Sequence, residues 1–323
     1  MAKLFLGGAV YDCGRTETVL DALLRQGADV PYSCARGTCL TCMVRAVDGQ
    51  VPETAQRGLK ETLRVQGYFL PCVCKPDHDL TIASPNEDGA FVPAIVSGVE
   101  TLAPSVRRVR LTLAAPFDYR AGQFLHLRRA DGLVRSYSLA SLPGRDPCLE
   151  LHVMQMTHGL MSGWIFNGLC PGEPVGLRGP NGDSFYTPGN PRQGMLLICT
   201  GTGLAPLAAI ARDALDASHT GPVHLYHGSG SADGLYLQGV LREPAARHSN
   251  FHYVPCVSRE AAPAGCRSGR ADDMALTDHA DLTGWRIFLS GNAAMVHAAK
   301  RAVYLAGADL SHIHADPFDQ RTC

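Results

Sequence analysis

Three cysteines fall within nine residues of one loop, Tyr32-Ser33-Cys34-Ala35-Arg36-Gly37-Thr38-Cys39-Leu40-Thr41-Cys42, and further thiols stand at Cys72 and Cys74. Thiols so crowded need an ion or a cluster to hold them, which fixes the course of the loop before any helix or strand is considered. Four residues separate Cys34 from Cys39 and two separate Cys39 from Cys42. With a fourth thiol further on, this C-x4-C-x2-C…C spacing is the one that the thiolate ligands of a [2Fe–2S] cluster follow. Cluster sulfides are anionic, so several backbone N–H groups must turn inward, and Ala35, Gly37 and Thr38 are small enough to let them. A zinc knuckle competes, with Cys72-x-Cys74 as its second pair, although the four-residue gap after Cys34 suits it poorly. Disulfides are the weakest alternative, because nothing else in the chain has a secreted character.

The remaining totals exclude more than they assign. A length of 323 residues allows two or three domains at roughly 100–200 residues each. The 29 basic and 30 acidic side chains give no electrostatic reason to expect nucleic acid or an anionic membrane as partner. Twelve cysteines spread over the whole length indicate a reducing compartment, and a cytoplasmic monomer is expected. The apolar start Leu4-Phe5-Leu6 has no small-residue cleavage site after it and reads as a first strand, not a signal peptide. The uncharged stretch from Gly194 to Ala211 has the length of a membrane span, but its internal glycines and Pro206 indicate a buried strand, a tight loop and a helix.

In residues 1–88, Leu4, Leu6 and Val10 suggest a hairpin around Gly7-Gly8, and Thr18 to Ala28 reads as a helix with Val19, Leu20, Leu23 and Leu24 on one face. A strand from Met43 to Val47 then ends at Asp48-Gly49. With the cysteine loop, this order resembles the β-grasp plant-type ferredoxins. The resemblance implies Cys34, Cys39, Cys42 and Cys72 as ligands, because the family's fourth ligand follows a Leu-x pair and precedes a Pro four residues on, as in Leu70-Pro71-Cys72 and Pro76. Cys74 is then a bystander. Leu40 departs from the family, which usually carries Gly there.

Pro-, Asn- and acid-bearing residues from Ser84 to Gly89 read as a linker. After it, Ala94–Val99, Val106–Leu113, Gln123–Arg129, Leu149–Met154 and Pro174–Leu177 are short β-rich segments, as in a small antiparallel barrel, with one helix from Leu160 to Leu169. Arg135-Ser136-Tyr137-Ser138 stands at a strand end, His158-Gly159-Leu160-Met161-Ser162 opens the helix, and Gly179-Pro180-Asn181-Gly182 closes the region. Here the chain resembles the ferredoxin–NADP reductase superfamily. The resemblance implies that Arg135 neutralises the flavin pyrophosphate, Tyr137 lies on the isoalloxazine and Ser138 reaches N5. Gly159, Met161 and Ser162 then stand at a helix N-terminus suited to a diphosphate, and Ser136 and His152 belong to the same expected flavin set. His126, His152 and His158 lack metal-ligand spacing and read as barrel-wall or backbone-pairing residues.

Met195–Cys199 runs into Thr200-Gly201-Thr202-Gly203-Leu204-Ala205-Pro206 and an apolar helix to Ala217. Glycines at the end of a parallel strand let nucleotide phosphates approach a helix N-terminus, and the stretch resembles the Gly-Thr-Gly-(Leu/Ile)-Ala-Pro form of the same superfamily. Strands at Val223–His227, His252–Val257, Arg286–Leu289 and His312–Ala315 alternate with helical stretches, as in a doubly wound parallel sheet. The resemblance places Gly201, Thr202, Gly203, Ser290 and Gly291 at the nicotinamide nucleotide, with Ser290 where the family has Cys. Phe318, in Asp316-Pro317-Phe318, covers the flavin or packs as a terminal aromatic. Gly228-Ser229-Gly230-Ser231 lacks a basic residue for a 2′-phosphate, which favours NADH unless Arg259 or Arg270 folds into reach. His312 and His314 read as sheet packing.

The chain is thus expected to be multidomain, α+β then β then α/β: a β-grasp ferredoxin (1–88), a six-stranded antiparallel flavin-binding barrel (89–190) and a doubly wound parallel-sheet nucleotide-binding domain (191–323). This order resembles the single-chain reductases of aromatic-ring-hydroxylating oxygenases. It implies FAD, a [2Fe–2S] cluster and NADH as cofactors, Ser138, Ser290 and Phe318 along the hydride path, and a ferredoxin or terminal oxygenase component as acceptor. A reductase for a deoxysugar dehydratase shares every motif. A zinc-stabilised nucleotide-binding sensor is the alternative without turnover.

Overall fold

In the first strand, β1 (Ala2–Leu6), alternate residues Ala2, Leu4 and Leu6 are buried and Lys3 and Phe5 face outward, the two-residue period of a sheet covered on one side. The chain is described here by a computed structural model, which covers residues 2–59, 63, 64, 66–83 and 91–318. The expected linker from Ser84 to Gly89 lies outside the described residues.

Gly7 and Gly8 both have positive φ, as a two-residue turn requires, and they join β1 to β2 (Ala9–Cys13). Helix α1 (Val19–Arg25) begins where the Thr18 side chain accepts the Asp21 N–H, and it buries Val19, Leu20, Ala22 and Leu23. With β3 (Val44–Asp48), β4 (Tyr68–Phe69) and β5 (Leu80–Ile82), the order across this sheet is β2-β1-β5-β3-β4, and β1 and β5 run parallel.

The second sheet holds β6 (Val92–Ala103), β7 (Val106–Leu113), β8 (Phe124–Arg128), β9 (Val134–Ser138), β10 (Leu149–Met154) and β11 (Pro174–Asn181), in the order β10-β7-β6-β11-β8-β9. All its pairings are antiparallel, and a bridge between Leu139 and Leu151 brings its two outer strands together as a barrel. Arg135 to Ser138 form most of β9 itself instead of trailing from a strand end. Helix α2 (Leu160–Asn167) covers one end of the barrel.

In the third sheet, β12 (Met195–Thr200), β13 (Val223–Ser229), β14 (Phe251–Val257), β15 (Arg267–Ser268), β16 (Arg286–Asn292) and β17 (Ile313–Phe318) are all parallel, in the order β15-β14-β13-β12-β16-β17. Helices α3 (Leu204–Asp216), α4 (Gln238–Arg247), α5 (Ala271–Asp278) and α6 (Ala293–Leu305) are the crossovers. Central strand β12 is buried from Met195 to Cys199 because helices cover both faces, which explains its unbroken apolar run. No helix among the described residues is long and apolar enough to cross a membrane. His312 ends a short 3-10 turn and meets Gln193, whereas His314 on β17 stacks on Phe288, so the two imidazoles do not form a pair.

Barrel and nucleotide sheet meet at Gly122, whose φ is +97° and whose absent Cβ would lie 2.5 Å from the Ser184 carbonyl oxygen and 2.6 Å from Ile210 Cδ1 of α3. An alanine here adds both left-handed strain and a clash with backbone. Gly122→Ala is expected to cost about 2–4 kcal/mol, read as a lowered thermal midpoint by circular dichroism; an unchanged midpoint would show that this seam yields freely.

Candidate functional site

The cysteine loop is shaped by backbone positions that point N–H groups at sulfur. Ala35, Gly37 and Leu40 all have positive φ. Cys34 Sγ accepts the N–H of Arg36 at 3.4 Å, the Thr38 hydroxyl at 3.3 Å and the N–H of Cys39 at 3.4 Å, and Cys39 Sγ accepts the N–H of Cys34 at 3.5 Å. The neighbouring Cys39 thiol, together with these donors, lowers the Cys34 thiol to about 4. Cys42 Sγ lies 3.4 Å from Cys72 Sγ, and the Cys42 thiol and the Gly37 N–H lower Cys72. Cys74 is fully buried, and burial beside Cys13 pushes its thiol up to about 12.

The sulfurs therefore stand as two pairs, Cys34 with Cys39 and Cys42 with Cys72. Among the described residues no three His, Cys, Asp or Glu side chains converge on a single ion. Paired thiolates suit a two-iron cluster, which takes two on each iron, better than one tetrahedral zinc, which needs four around a point.

Cys34, Cys39 and Leu40 line one wall of a cavity of about 1470 Å³. That is larger than an ordinary small-ligand pocket of roughly 300–1,000 Å³. Arg135 to Ser138 of β9 and His158 to Ser162 at the start of α2 line its middle, with His152; Thr202 and Asp316 to Phe318 line the far side. The expected flavin residues differ in what their side chains do. The Ser136 hydroxyl faces the cysteine loop, 2.8 Å from Thr41 Oγ1 and 3.3 Å from the Cys39 carbonyl oxygen. Arg135 donates to the Tyr32 carbonyl at 3.3 Å. Burial raises the Tyr137 phenol, against the nearby Arg135 charge.

Both ring nitrogens of His152 are committed, one to Tyr236 at 3.0 Å and one to Glu150 at 2.9 Å, and burial lowers its pKa. Gly159 leaves room for Ser162 Oγ, which a Cβ would meet at 2.4 Å; Ser162 accepts the Met156 N–H and donates to the Gly159 carbonyl. Gly159 caps α2 without a side chain, so the first-turn N–H groups face the cavity uncapped.

At the nucleotide sheet, the ends of β12 and β16 lie too close for side chains. A Cβ on Gly203 would sit 2.3 Å from the Ser290 carbonyl, one on Gly291 2.4 Å from the Thr200 carbonyl, and one on Gly201 2.6 Å from Met154 Cε. Ser290 is fully buried and its hydroxyl has no hydrogen-bond partner among the described residues. Beside it in register, Asp316 accepts the Ser138 hydroxyl at 3.2 Å, which ties the third sheet to the barrel. Phe318 pairs with Asn292 and borders the cavity. Arg259 runs alongside Gly230, 3.2 Å from where a Cβ would stand, while Arg270 is held by Asp272 and Asp273.

Three family descriptions match in the order of the three sheets: a 2Fe-2S iron-sulfur cluster binding domain over residues 7–77, an oxidoreductase FAD-binding domain over 93–186 and an oxidoreductase NAD-binding domain over 197–301. The reductase subunit of an aromatic O-demethylase from Amycolatopsis sp. is 37% identical over 97% of each chain. The chain belongs to the single-chain flavin iron–sulfur reductases. The ferredoxin–NAD(P)(+) reductase component of the naphthalene 1,2-dioxygenase/salicylate 5-hydroxylase systems of Ralstonia sp. is 33% identical over 93% of each chain. A crystal structure of an Amycolatopsis cytochrome P450 reductase superposes with a TM-score of 0.71 at 36% identity, covering 98% of this chain and 99% of that one. The reductase of a CDP-deoxysugar dehydrase from Yersinia pestis stands further off, at 28% identity. The reductase is an oxidoreductase with FAD-, NAD- and [2Fe–2S]-binding domains, and the zinc sensor is set aside.

One residue of the reductase, Arg178, escapes a sequence reading, while its neighbour His126 stands in the barrel wall and pairs with backbone as expected. Arg178 on β11 donates to the carbonyls of Leu40, Thr41 and Met43. His126, opposite it on β8, is fully buried and pushed down to about 3, by burial first and the Arg178 charge second. The ring is neutral, so Nε2–H donates to the Cys39 carbonyl at 2.9 Å while Nδ1 accepts from the Asn181 amide at 3.2 Å. The only signal for Arg178 is a charge directly before the turn at 179–182.

Leu40 has φ +55°, a conformation that favours Gly, yet packs its side chain into the domain core. Leu40→Ala keeps the left-handed strain and loses about 2 kcal/mol of packing, whereas Leu40→Gly recovers about 1 kcal/mol of it by removing the strain. Thermal bleaching of the loaded protein ranks them wild type, Gly, Ala; Ala above Gly would remove the strain argument.

Burial raises the Asp316 carboxyl to about 6, with Ser138 opposing and Asp183 assisting. The folded state holds this proton more tightly than the unfolded chain, so the stability it contributes is complete below the ordinary aspartate range and is lost as pH rises through about 6. The thermal midpoint of wild type minus that of D316N is expected to be largest near pH 4 and to shrink toward pH 7. A difference flat across that range would place Asp316 in water.

Proposed function

We propose that this reductase carries electrons from NADH through FAD and a [2Fe–2S] cluster to a ferredoxin or the terminal component of an aromatic-ring-hydroxylating oxygenase. One observation carries the reading: the cysteine loop, the Arg135–Ser138 strand and the Asp316–Phe318 end of β17 line a single cavity. The bound cofactors supply the chemistry, which is hydride acceptance from NADH and the onward release of single electrons.

The protein's part is placement. Cys34 and Cys39 hold one iron and Cys42 and Cys72 the other. The uncapped start of α2 at Gly159, Leu160, Met161 and Ser162, with Arg135, takes the flavin diphosphate, and Tyr137 bears the ring. Gly201, Thr202, Gly203 and Gly291 leave the backbone approach that a dinucleotide needs, and Ser290, buried behind them in β16, is small enough to let the two strand ends close together. Ser138, held by Asp316, orients a hydroxyl at the reacting edge, and Phe318 covers it. Gly228–Ser231 carries no basic residue of its own, which supports NADH, while Arg259 beside Gly230 is the one charge placed to meet a 2′-phosphate among the described residues near that turn.

Domain limits of 1–88, 89–190 and 191–323 belong to the same reading and are supported by one sheet in each. The near-neutral net charge of −1 fits a cytoplasmic monomer without a membrane or nucleic-acid partner.

Anaerobic titration with NADH, followed by absorbance and EPR, is expected to bleach flavin bands and then to raise a rhombic cluster signal; a colourless protein after cluster reconstitution would end the proposal. Cys72→Ser should abolish that signal and Cys74→Ser should leave it, the reverse result moving the fourth ligand to Cys74. Turnover with aromatic-oxygenase acceptors, and its absence with a deoxysugar dehydratase, tests the partner class.

A further inference from the structure

The cysteine loop presents the carbonyls of Cys39, Leu40, Thr41 and Met43 to the barrel, and carbonyls enclosed in this way need donors. In this protein the donors come from the barrel, through two devices. The first is the Cys39 carbonyl, approached by His126 Nε2 at 2.9 Å and Ser136 Oγ at 3.3 Å. The second is the buried guanidinium of Arg178, whose Nη1 donates to the Met43 carbonyl at 3.1 Å and whose Nη2 donates to Leu40 at 3.4 Å and Thr41 at 3.3 Å. Leu40, Thr41 and Met43 flank Cys42, so one planar fork grips the loop around a cluster thiol.

The other side of that fork is also fixed. The Phe91 ring lies 4.9 Å from the Arg178 guanidinium carbon and 4.3 Å from that of Arg128. Gly176 makes room for this stack, since a Cβ there would meet Arg128 Nε at 3.0 Å and Phe91 at 3.3 Å. Phe91 is where the described chain resumes on entering the barrel. Arg178 thus joins the cysteine loop, the barrel wall and the barrel's entering strand.

We propose that Arg178, braced by Phe91, is the positioning residue that holds the iron–sulfur loop in one docked place on the flavin barrel, so that electrons cross from flavin to cluster without a domain swing. The inference rests on the electron path above. It goes beyond that path in assigning the flavin-to-cluster step, and not the hydride step, to a residue that is no ligand itself and acts through the backbone of the cysteine loop. Lysine carries the same charge but cannot present a planar fork to three carbonyls, so Arg178→Lys separates position from charge.

The test is anaerobic stopped-flow on the loaded full-length protein, with wild type, Arg178→Lys and Phe91→Ala. Flavin bleaching by NADH and NADH–ferricyanide turnover are expected to stay within about twofold of wild type, while cluster reduction by flavin and NADH–cytochrome c turnover fall by about tenfold in Arg178→Lys. Phe91→Ala, which leaves the hydrogen bonds in place, is expected to show the same split at about threefold, and it decides the question should Arg178→Lys fail to assemble its cluster. Cluster reduction at the wild-type rate in both variants overturns the proposal, and so does an equal loss of both steps, which marks a general folding role. Absent flavin reduction in the wild type defeats the electron path itself and is distinguishable from either result.

Discussion

The need to surround anionic sulfur with N–H groups governs more of this structure than the loop that meets it. Ala35, Gly37 and Leu40 accept left-handed backbone so that amides and the Thr38 hydroxyl converge on the thiols. Further along the same loop, the carbonyls of Cys39, Leu40, Thr41 and Met43 face the barrel. Barrel strands β8, β9 and β11 each send one side chain to those oxygens, His126, Ser136 and Arg178. The loop that carries the thiols thus also supplies the surface by which the ferredoxin domain docks.

The second seam follows a different rule. Between barrel and nucleotide sheet, contact depends on missing side chains at Gly122, which meets the Ser184 backbone and Ile210, and at Gly201, which meets Met154. Directional bonds then fix the register: His152 of the barrel pairs with Tyr236, and Ser138 with Asp316. The first seam is a set of buried donors on loop carbonyls, and the second is a steric fit pinned by these hydrogen bonds and, at its exposed edge, by the ion pairs Arg212–Asp146 and Arg145–Asp216. The cavity lies where both seams open.

Much of this was legible in the chain because it depends on local chemistry. The thiol spacing, the hairpin glycines at 7 and 8, the N-cap at Thr18, the unbroken apolar run of β12 and the glycines after it each carry their own physical reason. The strand Leu149–Met154 agrees to the residue for the same cause, alternation between two covered faces. What escaped depends on partners distant in sequence. Ser136 sits in a motif that points to flavin, yet strand alternation turns its hydroxyl toward Cys39, 97 residues earlier. His152 lines the cavity but is consumed by Glu150 and Tyr236. Arg178 carries no local pattern, since its role exists only once β11 lies beside the cysteine loop. The short β15 was also invisible, having only two residues and exposed side chains.

Leu40 shows how the two kinds of information combine. A glycine is the low-strain choice for φ +55°, and a leucine there costs about 1–2 kcal/mol of backbone strain. The side chain is nearly buried, which returns a similar amount by removing apolar surface from water. Its carbonyl is meanwhile one of the three that Arg178 holds. A residue strained at its backbone, packed at its side chain and clamped at its carbonyl has little freedom left. The departure from glycine is thus offset within the same few ångströms, and the loop next to the cluster gains stiffness where an electron must enter.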